Sequence, residues 1–241
     1  MRFCTLALVL SLIGMSGLGA GAADEKEAFF NGKDLTGWDG LPDYWSVKDG
    51  AIIGSTPKGL KFNTFLCSKK KYKDFEMKFQ VKLTGKGWTG NSGVQIRSEI
   101  FKPEELAVKG PQCDMGDVYW GSLYGEHFGG MMKEAPRDKV NKVLKKDGFN
   151  DYYIRCVGKH VTIKINGVTT VDEEFAKMPD DGIIAWQLHA GDPMEVTFRN
   201  INFKELDKEG NPPAQGEVRV VPERRIRGGI LSRVRGIVRR R

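Results

Sequence analysis

Three short segments carry side chains of the kind that move protons and grip hydroxyl groups: NSGVQIRSE at 91–99, PQCDM at 111–115 and GIIAWQLH at 182–189. In an extended chain, side chains alternate between the two faces of a sheet. Asn91, Gln95, Arg97 and Glu99 are therefore expected on one face of the first segment, Gln112 and Asp114 on one face of the second, and Gln187 and His189 on one face of the third. Laid side by side, the three rows make one patch of amide, guanidinium, carboxylate and imidazole groups. Such a mixture suits a sugar, with Arg, amides and carboxylates meeting hydroxyls and aromatic walls covering the ring. Trp120, Tyr124 and His127 are the available walls. Half-exposed antiparallel sheets are polar on their outer face in any case, so the combination is more specific than its members.

Other chemistries lack their signatures. The chain has no G-x-S-x-G elbow, H-E-x-x-H pair, C-x-x-C pair or G-x-x-x-x-G-K-[ST] loop. Its 3 histidines, His127, His160 and His189, are too few for a multi-histidine zinc site. No cofactor is predicted, and a single divalent ion held by His189 with Asp114 or Glu99 stays open.

The elements that must position these residues read as short strands separated by Gly, Asn, Asp and Pro. Residues 74–83, DFEMKFQVKL, alternate strictly, with Phe75, Met77, Phe79, Val81 and Leu83 on one side; this is a half-buried antiparallel strand. YYIRCVG, HVTIKING and MEVTFRNINFKEL repeat the pattern, and Asn166–Gly167 predicts a tight hairpin. Many strands with tight turns predict an all-β sandwich or jelly roll. Residues 101–148 are the least regular: DKVNKVLKKDG is a short helix or turn, and YWGSLYGEHFGGMM has no clear period. A long irregular insertion in a compact sandwich is more often a functional loop than filler.

The ends differ from the middle. Arg2, the apolar run Leu6–Leu18 and Ala20-Gly21-Ala22 fit a secretory signal peptide at 1–22, so the protein is expected to be exported to the periplasm, cell envelope or medium. The globular domain is expected over 23–208, and an Arg-rich linker and tail over 209–241. Of the formal net charge of +7, the whole surplus falls in the last residues, 211–241, with nine arginines against two glutamates. The near-neutral globular part gives no electrostatic case for nucleic acid. The tail is expected either to be flexible or to form a basic amphipathic helix that contacts an anionic surface. Cys67, Cys113 and Cys156 are an odd set, expected as buried free thiols with one bridge as the lesser reading.

Taken in order, FNGKDLTGW, NSGVQIR, PQCDMGD, GSLYG, GFNDYYIRCVG with HVTIKINGV, GIIAWQLHAG and VTFRNINFKEL resemble the 3-keto-disaccharide hydrolase family over about 29–206. The resemblance implies a concanavalin A-like jelly-roll sandwich of two curved antiparallel sheets with a carbohydrate site on the concave face. It carries over to Asn91, Ser92, Gly93, Arg97, Gln112, Asp114, Tyr124, Asn150, Gln187 and His189. The implied substrate, an oxidised saccharide or glycoside with a ketone at C3, has an acidified C2 hydrogen. Its removal gives an enediolate that expels the C1 substituent, and water then adds. On that route His189 is the base, Arg97 stabilises the oxyanion, and Asp114 or Glu99 orients the imidazole or protonates the leaving oxygen. Two classes stay open: an exported enzyme cleaving 3-keto-glycosides, and a non-catalytic carbohydrate-binding module using the same face.

Overall fold

The computed structural model describes residues 28–85 and 90–212. The expected signal peptide and most of the Arg-rich tail lie outside the described residues. What is described is two antiparallel seven-stranded sheets packed face to face, a jelly-roll sandwich. The first sheet runs β1 (Trp38–Asp39), β4 (Thr64–Tyr72), β13 (Gly182–Leu188), β6 (Asn91–Lys102), β7 (Ala107–Gly116), β8 (Leu123–Glu126) and β9 (Gly130–Lys133). The second runs β12 (Val168–Glu174), β11 (His160–Ile165), β10 (Asn150–Val157), β5 (Phe75–Thr84), β14 (Met194–Glu205), β3 (Ala51–Thr56) and β2 (Trp45–Lys48). One short helix, α1 (Arg137–Val143), falls where DKVNKV predicts it.

Alternation explains the core. Phe75, Met77, Phe79 and Val81 of β5 face Ile184, Trp186 and Leu188 of β13 across the sandwich, all buried. Trp186 is the hub, with ring centroids 4.3 Å from Phe198 and 5.2 Å from Phe79, and Phe79 in turn stacks on Tyr152 at 5.2 Å. Each such side chain contributes about 1.5–3 kcal/mol by leaving water. The predicted hairpin joins β11 to β12 through Asn166 and Gly167, both with positive φ (46° and 84°), as a primed turn requires. The thiols of Cys67, Cys113 and Cys156 are free and buried. Burial pushes Cys67 up to about 12 and Cys156 to about 11, so they pack as small apolar groups.

The region 101–148 is more ordered than its composition suggests. It contains β7, the hairpin of β8 and β9, and α1. The strands of that hairpin are four residues each, too short and glycine-rich to show a period.

Arg97 corrects the simple alternation. The register of β6 shifts between Gln95 and Glu99, and Arg97 itself has φ 47°, the marks of a bulge that re-aims a side chain. All five guanidinium N–H groups are consumed: Nε donates to Lys73 O, Nη1 to Gly158 O and Pro179 O, and Nη2 to Cys156 O and to Asp74 Oδ1 at 2.8 Å. Asp74 Oδ1 also accepts the Gly158 N–H at 2.8 Å. The pair is buried on both sides and ties the β4–β5 turn, the β10–β11 turn and the entry to β13 into one end of the sandwich. Gly182 lies against it, where a Cβ would collide with the Arg97 backbone.

Candidate functional site

The strands carrying the three polar rows are neighbours in the order β13-β6-β7-β8. Register aligns them: Gly93 pairs with Asp114, Gln95 with Gln112, and Gln112 with Tyr124. Gly93 has a reason to be glycine, because a Cβ there would lie 2.6 Å from the Gln112 side chain that crosses it. From the core side, the Tyr152 hydroxyl donates to Asp114 O at 3.0 Å and fixes the backbone of that residue.

These rows open into a cleft of about 370 Å³ lined by Asn91, Gln112, Asp114, Tyr124, Gln187 and His189 together with Tyr119, Glu126, Met131 and Glu134. The volume is within the small-molecule range of about 300–1,000 Å³. Its floor is a chain of amides. Gln112 Nε2 donates to Asp114 Oδ1 at 2.7 Å and to Gln187 Oε1 at 3.1 Å, and Gln95 sits beneath, 2.9 Å from the Gln112 amide. Two buried polar atoms in the lining, Gln187 Nε2 and Asn91 Oδ1, have no partner among the described residues. An unpaired buried polar group costs about 1–3 kcal/mol, so this donor and this acceptor are ready for a ligand oxygen and a ligand hydroxyl.

His189 stands just past the end of β13, half-buried in the wall of the cleft. Its Nδ1 is 2.7 Å from Ala190 O. A carbonyl oxygen only accepts, so Nδ1 carries a proton, and in the uncharged form of the ring the lone pair lies on Nε2. Asp114 is 5% exposed. Burial pushes its carboxyl up to about 8, against the hydrogen bond from Gln112, and the charge of Glu126 adds to the rise. At neutral pH this carboxyl favours its protonated form. One cleft thus brings together an imidazole whose Nε2 is free to accept a proton and a carboxyl that retains one, the two kinds of group that general acid–base chemistry uses.

The raised value has a stability consequence. Folded Asp114 binds a proton that the unfolded chain, titrating near 3.8, gives up. Between about 4 and 8, the folded state holds more protons than the unfolded one, so this group's contribution declines as pH rises through that window. Asp114→Asn keeps the acceptor for Gln112 and removes the titration. The expected result is a flatter dependence of Tm on pH over that window, read by calorimetry on both proteins.

Five sequence candidates fall elsewhere. Arg97 lies in its carbonyl cage at the end of the sandwich, outside the cleft lining. Glu99 is exposed, in an ion pair with Lys109 at 2.9 Å. Gln95 supports the floor and does not line the cleft. Trp120 turns inward and joins the core. His127 is exposed, packs edge-on against Phe101 at 4.8 Å and lines a separate depression. Conversely, Tyr119, Glu126, Met131 and Glu134 are absent from the sequence candidates. The signal for the first two was one residue away, beside Trp120 and His127. Among the described residues no group of three or more His, Cys, Asp or Glu is placed to hold a metal ion.

A wider hollow of about 560 Å³ lies on the outside of the second sheet, lined in part by Lys78, Gln80, Tyr153 and Lys164. Several of its polar groups are already paired, Tyr153 with Glu76, and Gln80 with Asp151, Arg199 and Asn200. The smaller cleft holds the unpaired groups and the acid–base pair.

Residues 25–204 match the family of the 3-keto-alpha-glucoside-1,2-lyase-like domain. The chain belongs to this family. No curated protein matches it. Among solved structures, a proposed glycosyl hydrolase from Parabacteroides distasonis is similar at 22% identity with a TM-score of 0.53, covering 72% of this chain and 96% of that one. A second from the same organism shows 21% identity and a TM-score of 0.54, covering 74% and 92%. A Bacillus subtilis protein with a galectin-like fold shows 10% identity and a TM-score of 0.53, covering 70% and 89%. Identities this low establish the jelly-roll fold. Within the 3-keto-alpha-glucoside-1,2-lyase-like family, the cleft is where the motifs NSGVQIR, PQCD, GSLYG and WQLH converge, contributing Asn91, Gln112, Asp114, Tyr124, Gln187 and His189.

Proposed function

We propose that the protein is an exported enzyme that cleaves 3-keto-glycosides by elimination across C1–C2 followed by hydration. The observation that carries this reading is the pairing, in one cleft, of His189 with its lone pair on Nε2 and Asp114 with its proton retained. His189 Nε2 takes the C2 hydrogen as a proton, and the electron pair moves into C2=C3, placing negative charge on the C3 oxygen. Gln187 Nε2–H, otherwise unpartnered, donates to that oxygen in the role first assigned to Arg97. As the C3 carbonyl reforms, the pair shifts to C1=C2, the C1–O bond breaks, and Asp114 protonates the departing oxygen. Addition of water across C1=C2 gives net hydrolysis.

The family description, a lyase acting across positions 1 and 2 of a 3-keto-glucoside, supports the same bond order of events. The C3 ketone is essential to this chemistry, since only it acidifies C2. Incubating the mature domain with 3-keto-glucosides and with their unoxidised parents, products read by mass spectrometry, is expected to show cleavage of the keto forms alone. Binding of both without cleavage would instead mean a carbohydrate-binding module.

A further inference from the structure

The loop between β3 and β4, residues 57–63, lines the back of the His189 wall and contributes nothing to the cleft itself. Yet it anchors the backbone on either side of the Ala190 carbonyl that accepts from the imidazole. Asn63 Oδ1 accepts the Ala190 N–H at 2.8 Å. Leu60 and Gly191 exchange two backbone hydrogen bonds of 2.8 and 2.7 Å. The second of these, Gly191 N–H to Leu60 O, leaves from the same peptide unit whose carbonyl, Ala190 O, accepts the His189 Nδ1–H. A peptide that donates at one end is a better acceptor at the other. The contact is close enough to demand glycine at position 59, which has φ 75° and where a Cβ would collide with Gly191 O.

Asn63 also reaches across the cleft wall. Its Nδ2 donates to Glu126 Oε1 at 3.0 Å, and Glu126 lines the cleft. One amide thereby connects the β13 end carrying His189 with the β8 end carrying Glu126, two segments that share no direct strand pairing.

We propose that Asn63 is the positioning residue that holds Ala190 as the fixed acceptor for His189 Nδ1, so that the base nitrogen of the neutral ring is Nε2, and that locks Glu126 in place beside it. Without Asn63, the Ala190 N–H loses its acceptor and only the Gly191–Leu60 pair still holds this segment; the carbonyl that accepts from Nδ1 is then held from one side alone, and the ring exchanges between tautomers, one of which has no lone pair on Nε2. This inference rests on the reading of His189 as the base, but its first readout does not require turnover.

The test is long-range proton–nitrogen correlation NMR on ¹⁵N-labelled protein. With 3 histidines in the chain, the His189 ring is assigned by its disappearance in His189→Ala. The native ring is expected as the Nδ1–H tautomer. Asn63→Ala should give averaged tautomer shifts and a fall in kcat on a 3-keto-glucoside of up to about 100-fold, the effect of a small misplacement, with KM little changed. Asn63→Asp retains an acceptor for the Ala190 N–H but gives up the donor to Glu126 Oε1; it should keep the native tautomer, which separates the hold on Ala190 from loss of fold and from the contact with Glu126. A native Nδ1–H ring in Asn63→Ala would overturn the proposal. If instead the tautomer shifts as expected but the native protein turns over no 3-keto-glycoside, the positioning stands and the enzymatic reading falls.

Discussion

Replacing Arg97 with methionine is expected to destabilise the fold by about 3–5 kcal/mol, the usual cost of stranding one partner of a buried ion pair. The side chain is 2% exposed and Asp74 is 5% exposed, so neither water nor a neighbour can replace what is lost. Removing the guanidinium strips Asp74 of its counter-charge, leaving its side chain the Gly158 N–H, and takes a donor from the carbonyls of Lys73, Gly158, Pro179 and Cys156. Against a domain stability of about 5–15 kcal/mol, that loss consumes a large fraction of the whole. Lysine is no remedy, because its compact ammonium cannot present five donors in a fork. Adding Asp74→Asn to Arg97→Met should recover part of the loss by removing the stranded charge, and a double-mutant cycle in urea reads the coupling directly. Single-mutant stability equal to that of the native protein would show that the cage is dispensable.

His189→Ala is expected to lower kcat on a 3-keto-glucoside by about 10²–10⁴-fold, the range supplied by a positioned general base. The substitution removes a half-buried ring outside the hydrophobic core, so the melting temperature should move little. His189→Gln is the sharper comparison, since it can still hydrogen-bond a hydroxyl but cannot take the proton. Both variants should retain substrate binding through Asn91, Gln112, Gln187 and Tyr124. Native kcat in either would remove His189 as the base and transfer the role to a carboxylate of the same cleft.

Strict alternation made the fold and half of the cleft readable from the sequence. Gln112, Asp114 and Gln187 stand where period two puts them, and Ile184, Trp186 and Leu188 seal the core beneath. Alternation failed wherever the backbone breaks its own period. The bulge at Arg97, a non-glycine residue with positive φ, turned a residue expected on the polar face into the end of the sandwich. In β8 the phase runs through Tyr124 and Glu126, and His127 falls in the following turn with φ 46°. The histidine is thereby carried out of the cleft and its neighbour Glu126 brought in. Tyr119 and Trp120 show the same one-residue exchange inside a turn. Asn63 left no local mark at all, because its importance comes from two hydrogen bonds to segments 63 and 127 residues away in sequence.

The most direct test of the central claim uses a 3-keto-glucoside bearing deuterium at C2. If His189 removes that hydrogen before the C1–O bond breaks, the released 3-keto sugar should contain solvent hydrogen at C2, above an enzyme-free control, and cleavage should show a primary isotope effect wherever proton removal limits the rate. Product that keeps its full complement of C2 deuterium would contradict elimination and leave direct displacement at C1 by carboxylates.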